Sequence, residues 1–223
     1  MTLQGVIFDF DGTLADTLPL CFQAFREVLK PYLGREVSDA EIRRHFGPDE
    51  EGVLRQFIPD KVNESLESYL LTYEKLHSVY TTGIPGIMPM LDRLIDQGLC
   101  LAVVTGKGPR SAAISLDHLA LAKFFSLVDA GSPAGERKQA SIAKVLAHWG
   151  FPPQDVAYVG DMAVDMRAAK AAGVVPLGAA WLPATRSAEL RGAGAAEVFL
   201  DPQGLVAWVE SQSRVNSGQG RNS

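Results

Sequence analysis

Cysteine is scarce in this sequence and positive charge is not in excess, and each shortage argues against a class of protein. The 223 residues include two cysteines, Cys21 and Cys100, far apart and within apolar segments. We interpret them as buried free thiols of a reducing compartment rather than as a disulfide. The formal net charge of −5 provides no electrostatic basis for binding nucleic acid.

Long apolar runs are also missing. No run is long enough to cross a bilayer, and the first residues lack the basic, apolar and small-residue regions of a signal peptide. We therefore expect a cytoplasmic protein that has no membrane partner. The remaining composition, 47% hydrophobic and 21% charged, is that of an ordinary globular protein. The sequence leaves the oligomeric state open between monomer and homodimer.

Strand and helix patterns alternate from about residue 84 onward. Short apolar segments, typical of buried strands, are separated by helical patterns and lie at residues 99–104, 125–130, 156–159, 174–177 and 197–200. One more apolar segment lies near the start, at residues 6–8. Repeated units of this size predict an α/β fold with a Rossmann-like, doubly wound parallel sheet.

The segment between the first strand and the other strands shows only helical periodicity. Leu18, Phe22 and Phe25 recur at helical spacing, and Ser38 with Glu41 forms a capping-box pattern. We therefore predict a discontinuous catalytic core of residues 1–15 and 84–210, with an all-helical cap of residues 16–83. The polar residues 211–223, rich in glycine, serine and asparagine, are predicted to be a disordered tail.

An acid pair follows the first strand. Asp9 and Asp11 are two positions apart, so an extended backbone would direct both side chains to one side. Gly12 then lets the chain turn sharply. Two carboxylates held together repel each other, and Mg²⁺ would relieve that repulsion. An Asp-Gly turn with both acids solvated explains this motif equally well when it is taken alone.

Three further polar segments lie where ligands bind in open α/β sheets, beyond the carboxyl ends of strands. They are Thr105 with Gly106, Lys138 at a helix start, and Asp161 with Asp165 on one face of a helix. Each has a simpler explanation: an ordinary turn, a solvated lysine beside Arg137, or an N-terminal helix cap.

The ordered set is more specific than its parts. An acid pair, then a hydroxyl, then a lysine, then Gly-Asp-x-x-x-Asp, each at a strand end, resembles the four motifs of the haloacid dehalogenase superfamily across residues 5–178. The helical insertion after the first motif is similar in position to that superfamily's small cap. The chain looks most like the branch that contains phosphoglycolate phosphatases.

The resemblance implies a role for each acid. Asp9 would be the nucleophile that forms an aspartyl-phosphate. Asp11 would protonate the leaving alcohol and then deprotonate the water that releases phosphate. Mg²⁺ would be held by the Asp9 carboxylate, the Asp11 backbone carbonyl and Asp161.

The resemblance also implies roles for the residues around the acids. Thr105 and the Gly106 N–H would bind phosphoryl oxygens, and Lys138 would offset the negative charge. Asp165 would position Lys138 or a metal-bound water, and Thr13 would support the site. Relatives usually have proline after the lysine, whereas this chain has Gln139, which leaves Arg137 as a fallback for the role of Lys138.

These roles predict a Mg²⁺-dependent phosphatase that hydrolyses a small phosphorylated metabolite, similar to phosphoglycolate. Relatives that displace halide lack an acid at the position of Asp11, and those that cleave carbon–phosphorus bonds usually replace it. A sugar phosphomutase or a pyrophosphatase of the same superfamily stays open. Two non-enzymatic alternatives are a phosphoacceptor receiver, which has no place for the helical insertion, and a metabolite-binding module.

The cap would supply the contacts to the leaving group. The best candidates are Arg43, Arg44, His45 and the break at Gly47, although a solvated basic helix face explains the arginines as well. Hinges are expected near residues 14–17 and 81–86.

Overall fold

The fold is built on one parallel sheet. The computed structural model describes residues 3–80 and 83–219, with side chains described as far as residue 212. In that part of the chain the strands, numbered in chain order, are β1 (Gly5–Phe8), β2 (Cys100–Val104), β3 (Leu127–Asp129), β4 (Val156–Gly160), β5 (Val175–Ala179) and β6 (Glu197–Phe199). They pair in parallel in the order β3-β2-β1-β4-β5-β6. β1 is therefore central, between β2 and β4.

Helices fall into two groups. Those between β1 and residue 80 are α1 (Leu18–Leu33), α2 (Asp39–Arg43), α3 (Glu50–Phe57) and α4 (Val62–Tyr80), with a 3₁₀ turn at Pro59–Lys61. Those that follow are α5 (Ile87–Asp96), α6 (Pro109–His118), α7 (Lys138–Trp149), α8 (Ala163–Ala172), α9 (Ser187–Gly192) and α10 (Pro202–Gln219). Among the described residues, none of these helices combines the length and the apolar character needed to cross a bilayer.

Helices cover both faces of the sheet, which confirms the predicted Rossmann-like, doubly wound α/β fold. The side chains of β1 alternate between the two faces, and all four residues of the strand are buried. Val6 and Phe8 belong to one apolar cluster with residues of α5 and α10, such as Leu91. Ile7 belongs to another with residues of α7 and α8, such as Ile142. A short apolar run can thus form the centre of the core.

Residues 16–80, which we call the helical insertion, contain only helices as regular elements and have their own apolar core. Within it α1 packs on α4, with the rings of Phe25 and Tyr69 4.5 Å apart. Ser38 caps α2 by accepting a hydrogen bond from the Glu41 N–H at 3.2 Å, as the sequence predicts. An isolated antiparallel bridge joins Ala15 to Gly83, so the two connections to the sheet lie side by side. The second predicted hinge falls partly on residues 81 and 82, outside the described residues.

The structure differs from expectation mainly after residue 180. The sequence analysis predicts neither α9 nor α10, and it expects disorder from residue 211, whereas α10 continues to Gln219. Leu205 and Val209 are buried against the sheet, and the helix that they hold extends into the polar residues. Composition alone does not predict α10, because only a few residues of this helix are buried. Residues 220–223 lie outside the described part of the chain.

Both cysteines are free thiols, as predicted. Only Cys21 is buried, in the core of the helical insertion; the prediction of burial is wrong for Cys100, which is partly exposed at the start of β2.

Candidate active site

The carboxyl ends of the two central strands bring together acids that are distant in sequence. Asp9 follows β1 and Asp161 follows β4, and these strands are neighbours whose last paired residues are Phe8 and Val159. The Asp9 N–H donates to the Val159 carbonyl at 2.9 Å, which fixes the backbone at this point. The parallel pairing therefore places both acids at one edge of the sheet, as expected for a ligand site in an open α/β sheet.

Three carboxylates form a tight cluster at this edge. Asp9, Asp161 and Asp165 each offer one oxygen, and these three atoms lie within 4.8 Å of one another. The Asp161 Oδ1 atom is buried and has no hydrogen-bond partner among the described residues. A buried oxygen without a partner beside two other carboxylates is the donor set that a hard divalent cation requires. The residues present therefore fit Mg²⁺.

Lys138 supplies the positive charge at the cluster. It is the first residue of α7, and its Nζ donates to Asp9 Oδ2 at 2.6 Å and also to Asp165 Oδ1. The Lys138 side chain is 11% exposed. One ammonium against three carboxylates leaves an excess of negative charge, which again favours a bound cation.

The crowding changes how the acids bind protons. Burial, followed by the charges of Asp9 and Asp165, raises the pKa of Asp161 to about 8. Burial also raises the pKa of Asp9, to about 6, although Lys138 opposes the shift. Burial lowers the pKa of Lys138, but Asp165 and Asp9 outweigh it and keep that pKa well above its usual value. Without a metal ion, the site therefore retains protons that a divalent cation would displace.

Two glycines allow the close packing of this cluster. Gly12 has a φ of +81°, and a Cβ on it would lie 2.3 Å from Asp161 Oδ2. A Cβ on Gly160 would lie 2.5 Å from Asp165 Oδ2. Asp165 has two functions in the geometry, because its other oxygen, Oδ2, accepts the Met162 N–H at 2.9 Å at the start of α8. Asp165 therefore closes the start of α8 as its third residue, the N-cap itself being Met162, and also contacts Lys138.

The Asp11 carboxylate has partners outside this acidic cluster. The acidic cluster found among the described residues contains the carboxylate of Asp165 and not that of Asp11. Instead, Asp11 Oδ1 accepts a hydrogen bond from Thr17 Oγ1 and lies 3.2 Å from Lys107 Nζ. β1 ends at Phe8, so the alternation of a strand does not extend to Asp11.

Thr105 and Gly106 follow β2, at the same edge of the sheet. Thr105 is buried, and its N–H donates to the Asp129 carbonyl at 3.1 Å. Its Oγ1 accepts the Lys107 N–H at 3.3 Å. Thr13, by contrast, is fully buried, and its hydroxyl has no hydrogen-bond partner among the described residues. The Thr13 carbonyl accepts the Trp181 indole N–H at 2.9 Å, so its visible contribution is to hold the loop after β1.

A cavity of about 350 Å³ lies between this edge and the helical insertion. From the sheet side it is lined by Asp9, Asp11, Thr105, Gly106, Lys107 and Lys138, among others. The helical insertion lines it mainly with apolar side chains, together with one arginine, two acids and a glycine, namely Leu18, Cys21, Phe25, Arg43, Phe46, Gly47, Pro48, Asp49, Glu50, Val53 and Tyr69.

The predicted contacts from the helical insertion divide into two groups. Gly47 and Arg43 line the cavity, with the Arg43 guanidinium 5.1 Å from the centre of the Phe22 ring. Arg44 and His45 are not among the lining residues. His45 instead contacts Gln56, with Nδ1 and Oε1 2.8 Å apart, and Arg44 is exposed at the end of α2. The turn after α2 rotates neighbouring side chains away from each other, which spacing alone does not predict.

Arg137 does not take the place of Lys138. α7 begins at Lys138 despite Gln139, and the Arg137 guanidinium lies 3.9 Å from Asp129 Oδ2.

The sequence analysis did not identify Lys107 and Glu50 as candidates. Lys107 Nζ lies 3.8 Å from Glu50 Oε1, and both residues are buried. Glu50 joins α3 to the start of α6, because its carboxylate accepts the Gly108 N–H at 2.7 Å and the Ser111 hydroxyl at 2.6 Å. The only signal in the sequence was that Lys107 directly follows Thr105 and Gly106 at a strand end.

Comparison with known proteins identifies the family of this chain. Residues 6–179 match the family model for haloacid dehalogenase-like hydrolases. The chain is 31% identical over 182 residues to a phosphoglycolate phosphatase of Aquifex aeolicus, covering 80% of this chain and 85% of that protein. It is 28% identical over 186 residues to pyrophosphatase PpaX of Bacillus pumilus, covering 81% and 84%. A haloacid dehalogenase-like family hydrolase from Streptococcus pneumoniae has the same fold, with a TM-score of 0.74 at 23% identity over 92% of this chain and 98% of that one. The chain therefore belongs to the haloacid dehalogenase-like hydrolase family.

Proposed function

We propose that this protein is a Mg²⁺-dependent phosphatase that hydrolyses a small organic phosphate monoester through an aspartyl-phosphate on Asp9. The observation that carries the proposal is the meeting of Asp9, Asp161, Asp165 and Lys138 at one end of a cavity that the helical insertion covers. Phosphoryl transfer requires mainly positioning and neutralisation of charge, and this cluster supplies both.

The residues divide the reaction between them. The Asp9 carboxylate attacks phosphorus, and the ester P–O bond breaks as Asp11 gives a proton to the leaving alcohol. Asp11 then takes a proton from a water molecule, whose oxygen attacks phosphorus. The bond between phosphorus and Asp9 breaks, and inorganic phosphate leaves. Lys138 holds Asp9 in place and offsets its charge, while Thr105 and the Gly106 N–H bind phosphoryl oxygens.

Mg²⁺, held by the Asp9 carboxylate, the Asp11 backbone carbonyl and Asp161, would neutralise the charge of the phosphoryl group when bound. The Asp161 oxygen that lacks a partner supports this assignment.

The cavity favours an organic substrate. Its lining includes Leu18, Phe25, Val53 and Met162, side chains that suit a leaving group with carbon atoms better than inorganic pyrophosphate. The names of the relatives include both phosphoglycolate phosphatase and pyrophosphatase. We therefore rank hydrolysis of a small phosphate monoester, similar to phosphoglycolate, above pyrophosphate hydrolysis.

Phosphate release from a panel of substrates tests the proposal. The panel contains p-nitrophenyl phosphate, 2-phosphoglycolate, sugar phosphates and pyrophosphate, each with and without Mg²⁺. We expect Mg²⁺-dependent turnover of monoesters and essentially complete loss in Asp9→Asn. Asp117→Asn, which makes the same change on the exposed face of α6, should keep wild-type turnover. Wild-type activity in Asp9→Asn, or a stable phosphoprotein without turnover, would contradict the proposal.

A further inference from the structure

Lys107 is a buried lysine between the sheet and the helical insertion. Its side chain is 1% exposed, although it leaves the chain only two residues after Thr105. A lysine loses a strongly favourable hydration energy on burial, so its position needs compensating contacts. Burial lowers the pKa of Lys107, but the surrounding groups, Asp11 first among them, keep that pKa well above its usual value.

Its neighbours come from four elements. The ammonium lies 3.2 Å from Asp11 Oδ1 in the loop after β1 and 3.8 Å from Glu50 Oε1 on α3. It donates to Cys21 Sγ on α1 at 3.3 Å and lies 4.7 Å from the centre of the Tyr73 ring on α4. These contacts enclose the ammonium, so Lys107 is not free to move toward a phosphoryl group as a mobile surface lysine would be.

The contact with Asp11 orients that carboxylate. Oδ1 of Asp11 receives both the Lys107 ion pair and the Thr17 hydrogen bond. Oδ2 has no hydrogen-bond partner among the residues that the structure describes, and the side chain, 22% exposed, lines the cavity. Because Oδ1 accepts the Thr17 hydrogen bond and faces the Lys107 charge, a proton on this carboxyl group resides on Oδ2.

We propose that Lys107 is a positioning residue for proton transfer, which holds Asp11 by Oδ1 so that Oδ2 serves the leaving group. This inference rests on the proposed function. The proton on Asp11 Oδ2 goes to the ester oxygen as the P–O bond breaks, and Oδ2 recovers a proton from water in the second step. Lys107 also lines the cavity, but its ammonium is held by Asp11, Glu50 and Cys21, and it gives up no proton in either step.

The dependence on the leaving group distinguishes positioning from a structural ion pair. A poor leaving group must be protonated as it departs, whereas p-nitrophenolate departs readily without a proton. Loss of a well-placed general acid typically costs 10²–10⁴-fold. A structural defect would lower the hydrolysis of all esters by the same factor, because it would disturb the whole site.

The experiment compares Lys107→Met with wild type on p-nitrophenyl phosphate, phenyl phosphate and 2-phosphoglycolate. We follow kcat/KM, which reports the step in which the leaving group departs. We expect a loss of about 10²-fold or more for the two poorer leaving groups and of only a few-fold for p-nitrophenyl phosphate. Lys30→Met, which removes an exposed lysine paired with Glu36, should leave all three values unchanged.

Folding is checked by circular dichroism and thermal unfolding. If Lys107→Met does not fold, we use the double variant Lys107→Met with Glu50→Gln. The second substitution neutralises Glu50, which together with Asp11 loses its ammonium partner in the single variant. Thr17→Val, which removes the hydrogen bond to Asp11 Oδ1, should give the same selective loss. An equal loss for all three esters, or none, would overturn the inference while the proposed function stands. A wild-type protein without phosphatase activity would instead overturn the proposed function.

Discussion

Lys138 Nζ lies 2.6 Å from Asp9 Oδ2, although the two residues are 129 positions apart in the chain. The contact exists because β1 and β4 are adjacent and α7 begins beside both of them. It joins the proposed nucleophile to the only positive charge that contacts the acidic cluster among the described residues.

Lys138→Met should abolish most phosphatase activity and destabilise the fold. The change leaves Asp9 and Asp165 without their ammonium partner, and breaking a buried ion pair from one side typically costs about 3–5 kcal/mol. Urea unfolding at pH 8 and turnover of p-nitrophenyl phosphate measure the two effects. Arg137→Met is the matched control, because this neighbouring cation lies against Asp129 instead. Equal losses in the two variants would show that the position of the charge does not matter.

Mg²⁺ should stabilise the protein more at pH 8 than at pH 5. The pKa of Asp161 is raised to about 8 and that of Asp9 to about 6, whereas both are near 4 in an unfolded chain. Between these values the metal-free folded state binds more protons than the unfolded state. Its unfolding free energy therefore falls as pH rises from about 4 to about 8. At pH 5 Mg²⁺ must displace those protons, and at pH 8 far fewer remain.

Thermal unfolding with and without Mg²⁺ checks this expectation. At a free concentration of about 100 times Kd, binding adds roughly 2.7 kcal/mol, or about 5–10 °C for a chain of this size. We expect this shift at pH 8 and a smaller one at pH 5. Asp161→Asn should remove most of it at pH 8. A shift that is the same at both pH values would contradict the assignment of the metal ligands.

Gly12→Ala should damage both stability and metal binding. The positive φ of Gly12 costs an alanine roughly 1–2 kcal/mol, and the added Cβ would also lie 2.3 Å from Asp161 Oδ2. Gly150→Ala separates the two effects, because Gly150 also has a positive φ, of +72°, but no atom lies within 4 Å of the added Cβ. We expect Gly150→Ala to lower the melting temperature only, and Gly12→Ala also to lose the Mg²⁺ response. If Gly12→Ala keeps its stabilisation by Mg²⁺, then contact between the added Cβ and Asp161 does not impair metal binding.

The sequence predicts the sheet and the acidic edge because both depend on local patterns. Apolar runs define the strands, and parallel strands bring Asp9 and Asp161 to one edge whatever the details of packing. The prediction that Asp161 and Asp165 share one face of a helix is wrong for Asp161, because α8 begins only at Ala163 and Asp161 lies in the loop after β4. The catalytic roles of these residues remain predictions.

Features that depend on tertiary contacts or on backbone turns were not predictable in this way. Lys107 meets Glu50 across 57 residues, and nothing local to either residue indicates the contact. Asp11 was expected to share one side with Asp9 through strand alternation, but β1 ends at Phe8, and both side chains reach the cavity from the segment that follows it. α9 has only six residues, too few for a clear helical period, and was therefore missed.

Arg43→Ala should weaken the binding of a substrate whose leaving group carries charge, whereas Arg44→Ala should not. Arg43 lines the cavity above the acidic cluster, and its neighbour Arg44 does not. Both are exposed arginines at the end of α2, so each substitution removes the same charge from the same surface.

We expect KM for 2-phosphoglycolate to rise several-fold in Arg43→Ala, with kcat little changed, because the distal carboxylate loses a partner. Steady-state kinetics with 2-phosphoglycolate and with p-nitrophenyl phosphate measure this, and the second substrate, whose leaving group is neutral in the ester, should show no such rise. Equal KM values in the two variants would remove Arg43 from substrate selection and leave the choice of substrate to the apolar lining.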